Sequence, residues 1–135
     1  MESEIFFDVD NGIGTITLNR PKTLNALTMN MISQMRLNYT AWMAQDTIKA
    51  IIIKGAGDKA FCAGGDVRAV RQSIIDYDGA DNSELVQNFF YEEYILNHQI
   101  YTCQKPYIAI IDRVCMGGGV GLSVHGSFRV ATERT

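Results

Sequence analysis

Three adjacent glycines, Gly117, Gly118 and Gly119, stand in the stretch CMGGGVGLSVH that runs from Cys115 to His125. The apolar run Tyr107-Ile-Ala-Ile-Ile precedes it, and a segment with helical apolar spacing follows, so the order strand, glycine turn, helix is predicted. Each glycine loses more backbone entropy on folding than a residue with a side chain, which makes the triplet poor material for an element interior. Two uses account for it. A glycine turn lets a ligand approach the backbone, and a helix N-terminus presents unpaired N–H groups with partial positive charge, so the turn can hold an anion or a developing oxyanion. Alternatively the glycines permit positive φ and tight helix packing, and the turn alone does not choose between the two.

A second turn repeats the pattern. Ala60-Phe-Cys-Ala-Gly-Gly-Asp66 is a short apolar piece entering a glycine turn, with Asp66 placed to cap a helix through Val70 to about Ile75. Two N–H groups from separate turns can converge on one carbonyl oxygen, and donors aimed at developing charge lower a barrier by about 3 kcal/mol each. A carboxylate is also available. In the strongly helical stretch Glu84 to Tyr101, the residues Leu85, Val86, Phe89, Phe90, Leu96 and Ile100 form one apolar face with Glu93 in its middle. A carboxylate there must find hydrogen bonds or a counter-charge, or else protonate. It is either a site residue, a structural ion pair, or a side chain reaching solvent at a helix edge.

The elements that would carry these groups follow in order. Ile5 to Val9 and Ile13 to Leu18 form a hairpin through Asp10-Asn11-Gly12, and Asn19-Arg20-Pro21 ends the second strand. Thr28 is the expected N-cap of an amphipathic helix to about Ala44, with Met31, Ile32, Met35, Tyr39, Trp42 and Met43 on its core face. Ile51-Ile52-Ile53 predicts a strand of a parallel sheet covered on both faces. The polar stretch from Asp76 to Ser83 is expected to be a mobile surface loop, and Lys105-Pro106 ends the long helix before the strand at Tyr107.

The remaining composition narrows the chemistry. A chain of 135 residues, 47% hydrophobic, suits one compact domain with a sizeable core. A net charge of -3 gives no basic footprint for nucleic acid, and no apolar run is long enough to span a membrane. Cys62, Cys103 and Cys115 lack CxxC spacing, so no metal site is expected and the thiols are expected to be reduced and buried. Leu122 or Val124 breaks G-x-G-x-x-G, and Ser127 stands where a Walker A lysine is needed. His125 replaces the last glycine of a nucleophile elbow, Ser123 falls inside the predicted helix, and Cys62 is expected to pack rather than react.

Asn19-Arg-Pro, Asn25-Ala-Leu, the Ala60 to Asp66 turn and Met116-Gly-Gly-Gly-Val-Gly-Leu-Ser-Val-His-Gly126, taken together, resemble the crotonase (enoyl-CoA hydratase/isomerase) superfamily over essentially the whole chain. The resemblance implies an α/β fold, a spiral of ββα units of which residues 1–135 are an N-terminal portion. It also implies two backbone donors, Gly65 and Gly118, that polarise a thioester carbonyl. Within the superfamily the closest resemblance is to the branch that hydrolyses 3-hydroxyisobutyryl-CoA in valine catabolism. There the Glu-Glu-Tyr segment supplies an active-site carboxylate, which maps to Glu93, while the principal catalytic glutamate follows the position of Thr135. Hydratases of the superfamily carry a catalytic glutamate two residues after the triplet, where this chain has Gly121. The resemblance assigns coenzyme A contacts to Lys22, Leu24, Ala63, Gly64, Gly65 and Asp66, with Lys22 a phosphate partner or a solvated lysine. It implies an acyl-CoA as the small-molecule partner, no separate cofactor because coenzyme A belongs to the substrate, a mitochondrial location, and a homo-oligomer as an available assembly. Its alternatives are an enoyl-CoA hydratase or isomerase and a catalytically incomplete acyl-CoA-binding fragment.

Overall fold

A computed structural model describes residues 3–77 and 84–135, so most of the expected loop from Asp76 to Ser83 lies outside the described residues. The hairpin forms as predicted. β1 (Ile5–Asp10) pairs antiparallel with β2 (Ile13–Leu18), and Asn11 and Gly12 take the positive φ values, 50° and 79°, that a two-residue type I′ turn requires. Thr28 caps α1 (Met29–Met43), its hydroxyl accepting the Met31 N–H at 3.2 Å. The stripe Met31, Ile32, Met35, Tyr39 and Trp42 is buried, as its spacing predicts. At the far end Lys105 Nζ donates to the Trp42 and Gln45 carbonyls at 2.7 Å each, placing a cation on the negative end of the helix.

From there the chain winds in repeats. β3 (Ala50–Gly55) lies parallel beside β2, β4 (Ala60–Cys62) leaves that sheet, and α2 (Val67–Asp76) and α3 (Glu84–Tyr101) follow. The next turn adds β5 (Tyr107–Ile111) beside β3, β6 (Val114–Cys115) beside β4, then α4 (Gly118–Val124), and β7 (Phe128–Ala131) closes beside β5. The larger sheet has the order β1-β2-β3-β5-β7, and β4 and β6 form a separate parallel pair. This is the expected ββα winding. The core fills the space between the larger sheet and helices α1, α3 and α4, with Leu18, Met31, Ile53, Phe89, Leu96, Tyr107 and Leu122 all in one cluster. None of the helices among the described residues is long and apolar enough to cross a membrane.

Three expectations need correction. β5 does not run straight into the glycine triplet: Asp112 and Arg113 turn the chain, Arg113 at φ 69°, and β6 intervenes. A two-residue strand carries no periodicity, and its partner β4 is distant in sequence. The isoleucine run is covered less fully on one face than on the other, because Ile51 and Ile53 are buried in the core cluster while Ile52, on the other side of the pleat, is only half-buried. On α3 the predicted apolar face is narrower than drawn. Phe90 is 43% exposed, meeting the buried Phe89 ring edge-on at 5.7 Å instead of entering the core.

One buried polar side chain ties the site's supporting loops together. Asn25, fully buried at φ 56°, accepts the Arg20 N–H at 2.8 Å through Oδ1 and donates through Nδ2 to the Ala56 and Ala60 carbonyls at 3.0 Å each. Asn25→Asp keeps the shape and the tolerance for positive φ but turns an acceptor toward two carbonyls. Each unmade buried bond costs about 1–3 kcal/mol, so urea denaturation at pH 7 is expected to show a loss on the order of 3 kcal/mol. Burial beside carbonyls would raise the folded pKa of the new carboxyl, so this loss relative to wild type should shrink as pH falls toward 4 and the protonated group regains a donor. A pH-independent loss would rule out the assignment of Nδ2 to those two carbonyls.

Candidate active site

The two glycine turns are brought together by the pairing of β4 with β6. Cys62 and Cys115 are register partners, and the Met116 N–H donates to the Cys62 carbonyl at 3.0 Å. Parallel strands end on the same side, so the turns that follow them lie against each other. A Cβ on Gly64 would sit 3.4 Å from Gly118 N, and one on Gly117 would sit 3.6 Å from Gly64 Cα. Gly64 and Gly117 also hold φ values of 111° and 51°, so both the contact and the conformation call for glycine here. The segment from Leu24 to Leu27 is stitched onto the first turn. Ala63 N–H donates to the Leu24 carbonyl at 3.0 Å, Leu27 N–H to Gly64 at 2.8 Å, and Asp66 N–H to Leu27 at 2.8 Å.

Between these bonds two donors are unused. Neither the Gly65 N–H nor the Gly118 N–H, the first of α4, donates to any group among the described residues. Gly65 N lies 3.5 Å from the position a Gly118 Cβ would take. Tyr107 helps to fix α4 in this position: its buried hydroxyl donates to the Leu122 carbonyl at 2.8 Å, and its N–H donates to Ser127 Oγ at 2.9 Å.

Helix α3 lies across both turns and presses one side chain against each of three glycines. Phe89 ring atoms are 2.9 to 3.0 Å from the Cβ position of Gly65, Glu93 Oε1 is 2.7 Å from that of Gly118, and Asn97 Nδ2 is 2.8 Å from that of Gly121. Residues four apart share one stripe of a helix, so a single face of α3 supplies all three contacts. Glu93 is half-buried and makes no hydrogen bond or ion pair among the described residues. The ion pair on this helix belongs to its neighbour Glu92, which bonds Arg36. Burial pushes the Glu93 carboxyl above its ordinary pKa, and no cation nearby draws it back down.

Beside Gly65 opens a cleft of about 490 Å³, whose lining includes Lys22, Leu24, Ala63, Gly65 and Asp66. Five of the residues assigned to coenzyme A are therefore adjacent, with Lys22 exposed on a short 3₁₀ turn, Pro21–Thr23. Gly64 is buried between the turns and does not line the cleft, while Glu93 and Gly118 reach Gly65 from α3 and α4. The Asp66 carboxylate is already engaged. Its Oδ1 accepts the Ala69 N–H at 3.3 Å to cap α2, and its Oδ2 pairs with Arg20 at 3.3 Å.

Arg20 was legible in the sequence only as part of a strand stop. In the fold its guanidinium spans Glu4 and Asp66 at 3.3 Å each and donates to the Ala26 carbonyl at 2.8 Å, so it clamps both walls of the cleft. Asn97 also escaped the sequence reading, although extending the Glu93 stripe by one helical turn points to it. Ser123 is buried, with Oγ donating to the Gly119 carbonyl at 2.9 Å, and burial pushes the Cys62 thiol up to about 12. Neither is a nucleophile in this arrangement.

The unpaired carboxyl of Glu93 has a thermodynamic consequence. Its folded pKa is raised, so between the unfolded value near 4.3 and the folded value the native state binds more protons than the unfolded state. Stability is present below that window and is lost as pH rises through the folded pKa. Glu93→Gln should therefore match wild type in urea denaturation at about pH 4 and exceed it increasingly toward pH 8. A variant less stable than wild type at pH 8 would reveal a stabilising partner for the carboxylate.

Comparison with known proteins agrees with this arrangement. Residues 13–135 match the family described as enoyl-CoA hydratase/isomerase. Among curated proteins, a mitochondrial 3-hydroxyisobutyryl-CoA hydrolase of Danio rerio is 55% identical over 98% of the chain, and that of Homo sapiens 50% identical over 97%. The chain spans about a third of the length of these relatives, 34% and 33% respectively. Among solved structures, a carnitinyl-CoA dehydratase from Mycobacterium thermoresistibile superposes with a TM-score of 0.92 at 39% identity, covering 99% of this chain and 38% of that one. An enoyl-CoA hydratase from Rhodobacter sphaeroides 2.4.1 gives 0.89 at 32% identity, over 98% and 38%. With ββα winding, paired glycine turns and a family match over nearly its whole length, the chain belongs to the enoyl-CoA hydratase/isomerase family.

Proposed function

We propose that the protein carrying this chain hydrolyses 3-hydroxyisobutyryl-CoA, a β-hydroxyacyl-CoA thioester, in the mitochondrion during valine breakdown. The observation that carries the reading is the pair of unused N–H groups, Gly65 and Gly118, set side by side with Glu93 against one of them. Identity above 50% to relatives named for that hydrolase supports the substrate. When water adds to a thioester, charge moves onto the carbonyl oxygen, and two fixed donors at that point lower the barrier by about 3 kcal/mol each. As the new C–O bond forms, the proton of the water passes to a carboxylate. The C–S bond then breaks, and the departing sulfur recovers a proton to give the free acid and the thiol of coenzyme A.

In this reading Glu93 positions substrate or water, and a second carboxylate, supplied by sequence beyond Thr135, attacks or acts as base. The cleft at Lys22, Leu24, Ala63, Gly65 and Asp66 receives coenzyme A, with Lys22 free to meet a phosphate. No separate cofactor is needed. A second reading, hydration of an enoyl-CoA, is favoured by the names of the solved neighbours. Against it, position 121 has no side chain, and the Asn97 amide fills the space where one would start.

Assays of the full-length protein should separate the two. Thiol release from 3-hydroxyisobutyryl-CoA is expected, without comparable water addition to crotonyl-CoA; the reverse result would replace this reading with the second. Gly118→Pro removes one donor and should lower kcat/KM for thiol release by about 10²- to 10³-fold. Gly118→Ala, which keeps the N–H but crowds Glu93, separates loss of the donor from displacement of the carboxylate. Wild-type turnover in the proline variant would remove Gly118 from the oxyanion role.

A further inference from the structure

Asn97 carries a buried oxygen that bonds nothing among the described residues. Its Oδ1 is one of four buried side-chain nitrogen or oxygen atoms without a partner among the described residues, and Nδ2 donates to none of those residues either. The other three belong to Arg36 and Asn38 on α1 and to Gln99, whose amide nitrogen bonds Thr40 of α1. Of the four, only Asn97 stands against a glycine of α4, the helix that leaves the second turn, with Nδ2 at 2.8 Å and Oδ1 at 2.9 Å from the Cβ position of Gly121. A buried carbonyl oxygen left without a donor costs about 1–3 kcal/mol, and native proteins rarely leave one idle.

Its place suggests what it waits for. Asn97 follows Glu93 by one turn of α3, as Gly121 follows Gly118 by about one turn of α4, so the carboxamide and the carboxylate occupy adjacent positions over the same helix start. Four residues advance a helix by about 6 Å, a span that a short carbon chain ending in one hydrogen bond covers. A carboxamide offers both donors and an acceptor, and a substrate hydroxyl, which donates and accepts, can use both in return. We propose that Asn97 is a specificity-determining residue that hydrogen-bonds the β-hydroxyl of the acyl group while the thioester oxygen rests on Gly65 and Gly118.

This rests on the thioester reading above and adds the selection of hydroxylated over plain acyl chains. A site built to bond a substrate hydroxyl rejects the analogue lacking it because the site's own polar group is then left unpaired. Gly121 belongs to the same device, since any side chain at that position would displace the amide.

The test compares thiol release from 3-hydroxyisobutyryl-CoA and isobutyryl-CoA by the full-length protein and its Asn97→Leu variant. Wild type should prefer the hydroxylated thioester by roughly 100-fold or more. Asn97→Leu should lower kcat/KM for that substrate by about 10²-fold and leave isobutyryl-CoA within about threefold, so that the preference collapses. The ratio of the two rates does not depend on how much of the variant is folded, and Asn97→Ala, which also removes donor and acceptor, supplies the same ratio if the leucine variant is insoluble. Equal losses on both substrates would instead make Asn97 a holder of the attacking water and overturn the proposal, as would an unchanged ratio. Wild type that turns over neither thioester defeats the hydrolase reading and this inference with it. Wild type that turns over both, with a preference that survives the substitution, defeats this inference alone.

Discussion

The site depends on the parallel pairing of two strands that together contain five residues, β4 and β6. Parallel strands must end on the same side, and each of these ends in a glycine turn leading to a helix. Pairing Cys62 with Cys115 therefore places the Gly65 and Gly118 N–H groups, neither of which has a partner among the described residues, against each other without a side chain intervening. Most of the other features of the region serve that juxtaposition. Asn25 holds the strand of the first turn through Ala60, Arg20 holds its exit through Asp66, and Tyr107 holds the helix that leaves the second.

The glycines of the region divide by physical cause. Gly64 and Gly117 hold positive φ and touch each other's backbone, so they permit the turns to meet. Gly65, Gly118 and Gly121 are absences of side chains opposite Phe89, Glu93 and Asn97, so they permit α3 to come close. A helix brought that near to two orphan donors delivers an aromatic wall, a carboxylate and a carboxamide at the spacing of its own turns. The carboxylate has no partner among the described residues and a raised pKa, a condition that costs stability and makes sense where a ligand completes the set.

Much of the fold was legible in the sequence because its signals are local. Asn11-Gly12, the Thr28 cap, the Met31 to Trp42 stripe and the Glu84 to Tyr101 helix rest on residues within a few positions of one another, and all appear as read. The strand β6 and the incomplete burial of Ile52 were not legible, since the first is too short to show a period and the second depends on which face the helices choose. Within the site, Glu93 stood out as a charge on an apolar stripe. Arg20 did not, because an arginine before a proline looks like the end of a strand until its partners at Glu4 and Asp66 are folded around it.

The sequence by itself determined the two glycine turns, the helices that follow them and the carboxylate set into an apolar face. Backbone entropy and helical period express these in a few contiguous residues. Only the tertiary structure decided that the turns touch, that the N–H groups of Gly65 and Gly118 stay unbonded among the described residues, and that Asn97 faces Gly121. Those facts arise from packing between segments far apart in the chain, where distance in sequence carries no information about distance in space.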